Sequence, residues 1–169
     1  MKVKEVKTWK FSELTEEQQE KAIENYYDFN VDDSSFWCEE WTEDNLDIGL
    51  KVTSFDIGRG AYCKIDCQKD FQEIAENIQK SFGKEADITQ TATNFLKSRK
   101  EIVVLMLAKG NWNKHLQGME EVEEEFEREL EIDILQQLKD SYEYNTSKEA
   151  ISESLIANDY DFTADSKIF

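Results

Sequence analysis

The sequence contains no proline, six glycines and one histidine among its 169 residues. The absence of proline removes one helix breaker throughout the chain. The three cysteines are an odd number, and the sequence has no secretory signal segment, so we expect a reducing, cytoplasmic environment. The longest apolar run, residues 102–108, is far shorter than the roughly 20 residues that cross a bilayer, so we expect no association with a membrane.

Basic residues are also scarce, since 20 lysines and arginines stand against 38 aspartates and glutamates, giving a net charge of −18. Such a surface repels phosphate groups, which argues against direct binding to DNA, RNA or an anionic membrane. It suits a partner that is itself basic, and it keeps a protein soluble. The charge therefore predicts a binding protein with a basic protein partner. It does not predict the oligomeric state.

Aromatic residues are plentiful, with ten Phe, six Tyr and four Trp, and they argue against disorder. Residues 50–67 alternate with a period of two and are predicted to form two strands joined by Gly58-Arg59-Gly60. We therefore predict an α+β fold, in which a small antiparallel sheet built on this central hairpin is covered by several amphipathic acidic helices. The length fits a single domain over residues 1–169.

Helical periodicity dominates the rest of the chain. Thr15 and Gln18 have the capping-box spacing at the start of one helix. Either Asp70 or Lys69 is predicted to open a second helix, and Ser147 is the predicted N-cap of a third. Apolar residues recur at helical spacing in three further segments. These predicted helices cover residues 36–47, 87–100 and 119–144.

Three segments have other predicted structures. Residues 3–11 alternate loosely and are predicted to form a short strand. Residues 101–108, EIVVLMLA, fit either a buried strand or a continuation of the preceding helix, and their length and β-branching favour the strand. The chain after residue 160 is predicted to form a terminal turn or small hairpin.

A metal site is the first chemistry to consider. Cys38, Cys63, Cys67 and His115 are ligands of the zinc type. However, two cysteines four residues apart on one strand are separated by about 13 Å, which is too far for a shared ion. We interpret the cysteines as buried or half-buried free thiols, and no segment has the Asp/Asn ladder of a calcium loop. We therefore predict neither a metal nor a cofactor.

Enzyme signatures are equally weak. Asp56, Asp66 and Lys69 lie near strand ends, but their spacing differs from that of metal nucleases, and an acidic shell repels a nucleic-acid substrate. His115 is a lone histidine, and the Gly58-Arg59-Gly60 turn is too short for a phosphate-binding loop. We predict no catalytic residue, with a metal-dependent enzyme as the alternative from another functional class.

The acids are concentrated in two blocks with helical periodicity. Residues 15–47 hold twelve acidic residues and one basic residue, and residues 119–145 hold eleven and two. Repulsion between like charges one turn apart destabilises a helix by about 0.2–0.5 kcal/mol per pair, so we expect an offsetting functional benefit. The predicted partner-binding residues are Glu39, Glu40, Glu43, Asp44, Asp47, Arg59 at the turn tip, Glu120, Glu121, Glu123, Glu124, Glu127 and Glu131.

Such helices have a charge density of the same order as a nucleic acid. Duplex DNA carries one charge per about 1.7 Å of its axis. A helix rises about 1.5 Å per residue, and many of its positions here are acidic. A surface of this kind can occupy the basic groove of a DNA-binding or RNA-guided protein and steer its association. The sequence therefore suggests a polynucleotide mimic.

Three segments also carry motifs of a known kind. They are residues 9–17 with 21–23, the hairpin set Phe55, Asp56, Arg59, Gly60 and Tyr62, and residues 149–153 with 156–165. In these segments the chain resembles small phage and prophage proteins described as antitoxin-like. The family usually has a glycine where this chain has Ser166, which puts the type of that turn in question.

The resemblance implies a phage origin and action in the cytoplasm of a host cell. Small, very acidic phage proteins often resemble inhibitors of host defence, including anti-CRISPR and anti-restriction proteins. The predicted function is therefore non-enzymatic inhibition of a basic host protein, such as a nucleic-acid-binding nuclease or a CRISPR effector. An antitoxin that neutralises a toxin by direct binding is the alternative within the same broad class.

Overall fold

The computed structural model describes residues 7–31, 36–42, 47–109 and 112–169, and it has the predicted α+β fold. The strands are β1 (Trp9–Lys10), β2 (Leu50–Asp56), β3 (Tyr62–Cys67) and β4 (Asp161–Phe162). The helices are α1 (Glu16–Asn25), α2 (Glu39–Thr42), α3 (Phe71–Ser81), α4 (Asp87–Lys109), α5 (Trp112–Asn145) and α6 (Lys148–Ala157). In the described ranges, no helix combines the length and the apolar character needed to cross a membrane.

The contacts divide the chain into two compact units, of which the first is Met1–Trp37 with Asp140–Phe169. Its core consists of Phe11, Leu14, Ala22, Ile151, Leu155 and Phe162. β1 pairs antiparallel with β4, placing Trp9 opposite Phe162. The predicted caps are confirmed, because Thr15 and Gln18 form a capping box on α1 and the Ser147 hydroxyl accepts a hydrogen bond from the Ala150 N–H.

The second unit is Cys38–Lys139, and it contains the predicted hairpin. β2 and β3 pair antiparallel, with an irregularity between Val52 and Ser54. This irregularity shifts the alternation, so that Val52 is buried and Ser54 is exposed, although the two residues are two positions apart. The strict period of two predicted for this strand is therefore wrong beyond Val52, because a bulge inserts one extra residue into the strand.

Three helices of the second unit pack through an aromatic cluster. The Phe95 and Phe126 rings stack with centroids 4.1 Å apart, and the Phe71 ring meets both of them edge-on. Of the two predicted starts of α3, Asp70 is correct, because its carboxylate accepts a hydrogen bond from the Gln72 N–H. This cluster joins α3, α4 and α5, and it determines which side of α5 is buried.

Residues 101–108 are helical, so the strand favoured for them is wrong and the helical alternative is correct. Ile102 continues the inward side of α4 seven residues after Phe95, and a Cβ added at Gly118 of α5 would lie 3.8 Å from the Ile102 side chain. Packing against a neighbouring helix thus overrides the weak strand preference of β-branched residues. α5 also begins earlier than predicted, at Trp112.

The remaining element predictions are confirmed only in part. The first strand is limited to Trp9–Lys10 in the described chain, a 3-10 turn follows it, and residues 3–6 lie outside the description. Residues 36–42 form a 3-10 turn followed by α2, residues 47–49 form a turn, and residues 43–46 lie outside the description. The predicted single domain over residues 1–169 stays a prediction.

Candidate functional site

A buried apolar row fixes the orientation of α5. Its members lie four residues apart and are almost fully buried: Phe126, Leu130, Ile134 and Leu138. Residues three and four apart share one side of a helix. The number of residues that separate each acid from this row therefore decides whether its side chain points inward or outward. The acids between residues 120 and 133 fall into three sets on this basis.

The first set contains Glu123, Glu127 and Glu131, all half-buried, of which Glu127 and Glu131 lie near β3 of the hairpin. The Glu131 carboxylate accepts hydrogen bonds from the Lys64 ammonium of β3 at 2.8 and 3.0 Å. The Glu131 side chain is only 17% exposed, whereas that of Lys64 is 59% exposed. Of the residues predicted to bind a partner, Glu131 is therefore already engaged within the protein.

The thiols of Cys63 and Cys67, which lie near this set, have raised pKa values. Burial raises the pKa of the Cys67 thiol to about 11, and the Glu127 carboxylate adds to this effect. Burial likewise raises the pKa of Cys63 to about 11, with a contribution from Glu131. Both thiols are therefore protonated at neutral pH, which makes them poor nucleophiles and poor metal ligands.

Glu123 lies furthest toward the N-terminus in this set. Burial raises the pKa of its carboxyl group, while attraction to Arg99 opposes the shift and repulsion from Asp70 and Glu120 adds to it. Glu123 is thus partly sheltered on the side of α5 that faces α4 and the start of α3. It is less available to a partner than the sequence suggested.

The second set faces α4 and contains Glu125, Glu129 and Asp133. These acids line two adjoining cavities of about 160 and 350 Å³, which share Asn94 and Glu129. The Asp133 carboxylate accepts a hydrogen bond of 2.7 Å from the Thr91 hydroxyl. Burial raises the pKa of Asp133, the hydrogen bond from Thr91 lowers it, and repulsion from Asp87 adds to the rise.

The sequence-based list of partner-binding residues omitted this groove. The signal was available, because Glu121, Glu125, Glu129 and Asp133 recur every four residues. Polar Thr91, Asn94 and Ser98 recur every three to four residues on α4 and line the same groove. A polar stripe on one helix opposite an acidic stripe on another was the pattern that would have revealed it.

The third set points outward and contains Glu120, Glu121 and Glu124, all exposed. The Glu121 carboxylate accepts a hydrogen bond from Gln117, one turn earlier on α5. Among the residues that the structure describes, none of the three forms an ion pair with a lysine or arginine. These three carboxylates are the most accessible of those predicted on this helix.

The second predicted block, near α2, is described only in part. Glu39 is half-buried in α2 and Asp47 is exposed in the turn before β2. Glu40 belongs to α2, but its side chain lies outside the description, as do Glu43 and Asp44. The indole of Trp41 is buried and stacks on Phe82, the residue that follows α3, with centroids 5.6 Å apart. The role predicted for this block stays a prediction.

Arg59 lies exposed in the turn between β2 and β3, as predicted. The turn is shaped by a hydrogen bond of 2.7 Å from the Gly58 N–H to the Asp56 carboxylate. Gly60 has a φ of +89°, which favours glycine and explains this residue at the end of the turn. The structure therefore presents the Arg59 side chain at the hairpin tip, and its contact with a partner stays a prediction.

Groups for metal binding are not brought together in the described ranges. There, no set of three or more His, Cys, Asp or Glu residues can hold a metal ion. Cys38, Cys63 and Cys67 form no disulfide in the described ranges, and His115 is half-buried near the start of α5. The alternative of a metal-dependent enzyme stays a prediction.

Comparison of the chain with protein-family models, with curated proteins and with solved structures finds no match. The resemblance to phage antitoxin-like proteins, and the phage origin that it implies, therefore stay predictions.

Proposed function

We propose that this protein is a non-enzymatic inhibitor that binds the basic, nucleic-acid-binding surface of a host defence protein. The observation that carries the proposal is the outward set Glu120, Glu121 and Glu124, which is exposed on α5 without ion-pair partners among the described residues. The resemblance to phage proteins directs the proposal toward host defence nucleases and CRISPR effectors.

The spacing of the acids supports this proposal quantitatively. Nine acids lie between residues 120 and 133, and fourteen residues of helix extend over about 21 Å. Two of them form ion pairs within the protein, Glu125 with Arg128 and Glu131 with Lys64. The remaining seven correspond to one charge per about 3 Å, near the roughly 3.4 Å per charge along one DNA strand.

This density refines the expectation from the sequence. All nine acids together would approach the charge density of duplex DNA, whereas the seven without an ion pair in the described ranges come closer to that of a single strand. Two of these seven, Glu129 and Asp133, line the groove between α4 and α5, where they can receive lysine or arginine side chains of the partner. A protein channel that holds one strand of DNA or RNA is therefore the most suitable target.

The test begins with capture of the partner from a host lysate on the immobilised protein, followed by measurement of the affinity at several salt concentrations. We expect the affinity to fall steeply with salt and the complex to be displaced by single-stranded DNA or guide RNA. Affinity that does not change with salt, or a complex that nucleic acid does not displace, would contradict the proposal.

A pair of charge-reversal variants locates the surface. Glu121→Lys with Glu124→Lys should weaken binding by about tenfold or more, because it places repulsive charges in the contact. Glu24→Lys with Glu153→Lys changes the net charge equally, on exposed positions of α1 and α6. This control should change the affinity by about twofold at most, through the long-range field alone. Equal losses in the two variants would assign binding to net charge rather than to α5.

A further inference from the structure

α4 and α5 form an antiparallel helical hairpin. Successive contacts join Thr91 to Asp133, Phe95 to Phe126, and Ile102 to the position of Gly118. The residue numbers rise along α4 as they fall along α5, and only two residues separate the end of one helix from the start of the other. A connection this short requires antiparallel neighbours.

The end of this hairpin is apolar and exposed. We call it the apolar tip, and its members with their exposed fractions are Val104 56%, Leu105 39%, Leu107 74%, Trp112 55% and Leu116 52%. Val104 and Leu105 also line an open groove of about 540 Å³ together with Lys97, Lys100 and Glu101. Large contiguous apolar patches are uncommon on monomers and indicate interaction sites.

The charge around the apolar tip differs from the charge of the rest of the protein. Residues 97–117 hold five basic residues and one acidic residue, whereas residues 120–133 hold one basic and nine acidic residues. Lys100 lies one turn before Val104 on α4, and Glu120 lies one turn after Leu116 on α5. All four of these side chains are exposed. One turn of helix away from the apolar tip, α4 therefore carries a basic side chain and α5 carries an acidic one.

We propose that the apolar tip is covered by a second copy of this chain, in a two-fold symmetric dimer that pairs α4 of each copy with α5 of the other. In this arrangement the apolar residues of the two tips meet in the centre. Lys100 of each copy then faces Glu120 of the other on both sides of the contact. The result is an antiparallel four-helix bundle, a common way for amphipathic helical hairpins to bury their exposed sides.

Charge complementarity selects a second copy as the occupant. A symmetric contact needs one surface that complements itself, and this one carries an apolar centre with opposite charges on its two sides. An anionic membrane surface would attract Lys97 and Lys100 but repel Glu120 and the acids that follow it. Pairing α4 with α4 of the other copy would place lysines opposite lysines, so the pairing of α4 with α5 is favoured.

Sedimentation velocity of the full chain over a range of concentrations tests the dimer. The wild-type protein should sediment as a dimer that dissociates on dilution. Leu107→Asp places a charge in the centre of the contact and should weaken the dimer by about tenfold or more. Ile156→Asp changes an equally apolar residue of α6 that is 55% exposed and lies outside the tip, so it should leave the dissociation constant unchanged. Circular dichroism checks that both variants fold.

A charge exchange tests the pairing of α4 with α5. Lys100→Glu and Glu120→Lys should each weaken the dimer, because each places like charges opposite one another. The double variant restores opposite charges across the contact and should recover most of the wild-type affinity. If the double variant dimerises no more tightly than the single variants, the pairing of α4 with α5 is wrong.

Three results would overturn the proposed dimer. One is a wild-type protein that sediments as a monomer at every concentration. Another is a monomer that co-sediments with vesicles of phosphatidylcholine and phosphatidylserine and loses this binding in Leu107→Asp, because the tip would then be a membrane contact. Dimerisation of wild type that is unchanged in Leu107→Asp would place the interface elsewhere and would also overturn the proposal.

Discussion

Two groups of carboxylates on the same helix have different surroundings. The inward acids of α5, such as Glu131 and Asp133, are half-buried and hold partners on β3 and α4. The outward acids, Glu120, Glu121 and Glu124, are exposed and form no ion pair in the described part of the chain. Residue type is the same in both groups, so the position relative to the buried row of α5 decides the role.

This comparison changes the meaning of a high acid count. A carboxylate that is bonded within the protein supports the fold and contributes less to the surface potential. Only the unpaired, exposed carboxylates attract a basic partner at a distance. The charge that such a helix presents to a partner therefore depends on the rotation of the helix about its axis as well as on the number of its acids.

The largest expected effect comes from breaking the apolar row that orients both groups. Phe126→Ala should lower the free energy of unfolding by about 3–5 kcal/mol, since it leaves a cavity in the stacked aromatic cluster. Ile132→Ala is the matched control, because Ile132 lies on the same helix and is 55% exposed. Its effect should stay within about 0.5 kcal/mol.

Chemical denaturation of both variants, followed by circular dichroism, measures this difference. Similar losses of stability in the two variants would show that α5 is rotated differently. The assignment of inward and outward acids would then fail with it.

The next effect concerns the reactivity of Cys67. Its pKa of about 11 is far above the ordinary thiol value, first because of burial and then because of the Glu127 carboxylate. Glu127→Gln removes that negative charge, lowers the pKa of the thiol and should increase its alkylation rate at pH 8 by roughly two- to threefold. Glu124→Gln removes an outward charge and should leave the rate unchanged.

Mass spectrometry of the peptide that contains Cys67, after timed exposure to iodoacetamide, gives the rates. It separates this thiol from the buried Cys38 and Cys63. An equal increase in both variants would indicate that Glu124 and Glu127 are equally distant from β3, and the inward assignment of Glu127 would be wrong.

The smallest expected effect is a pH-dependent gain in the free energy of unfolding when Asp133 is replaced by asparagine. Burial raises its folded pKa above the ordinary value of 3.8, so the folded state binds the proton more tightly than the unfolded state. The wild-type protein therefore loses stability as the pH rises through the window above 3.8. Asp133→Asn removes the charge and retains an oxygen that accepts the hydrogen bond from Thr91.

We expect this variant to be more stable than wild type by about 0.5 kcal/mol at neutral pH. The gain should disappear at a pH below 3.8, where Asp133 is protonated in both states. Unfolding curves at several pH values provide the measurement. A loss of stability in Asp133→Asn at neutral pH would show that attraction to a positive group outweighs the burial of this carboxylate.

Much of the local structure could be predicted because it depends on neighbours in the sequence. The capping box of Thr15 and Gln18, the caps at Asp70 and Ser147, and the positive φ of Gly60 in the hairpin turn are confirmed, whereas Gly58 has no positive φ. Each is a hydrogen-bonded or conformational feature that spans at most four residues. Patterns of this kind do not depend on the rest of the fold.

The failures arose where distant residues decide the outcome. Residues 101–108 were favoured as a strand, but packing of Ile102 at Gly118 keeps them helical. The bulge after Val52 depends on pairing with β3, and the pairing of β1 with β4 joins residues about 150 positions apart along the chain. Local propensity contains no information on such contacts.

The sequence by itself determined the net charge, the α+β class, the hairpin and the acidic character of the long helix, because these follow from composition and short-range periodicity. Only the tertiary structure decided that Glu131 pairs with Lys64 and Asp133 bonds Thr91, while Glu120 and Glu124 stay open to solvent. The physical reason is the rotation of α5 about its axis, which is set by the stacking of Phe126 on Phe95.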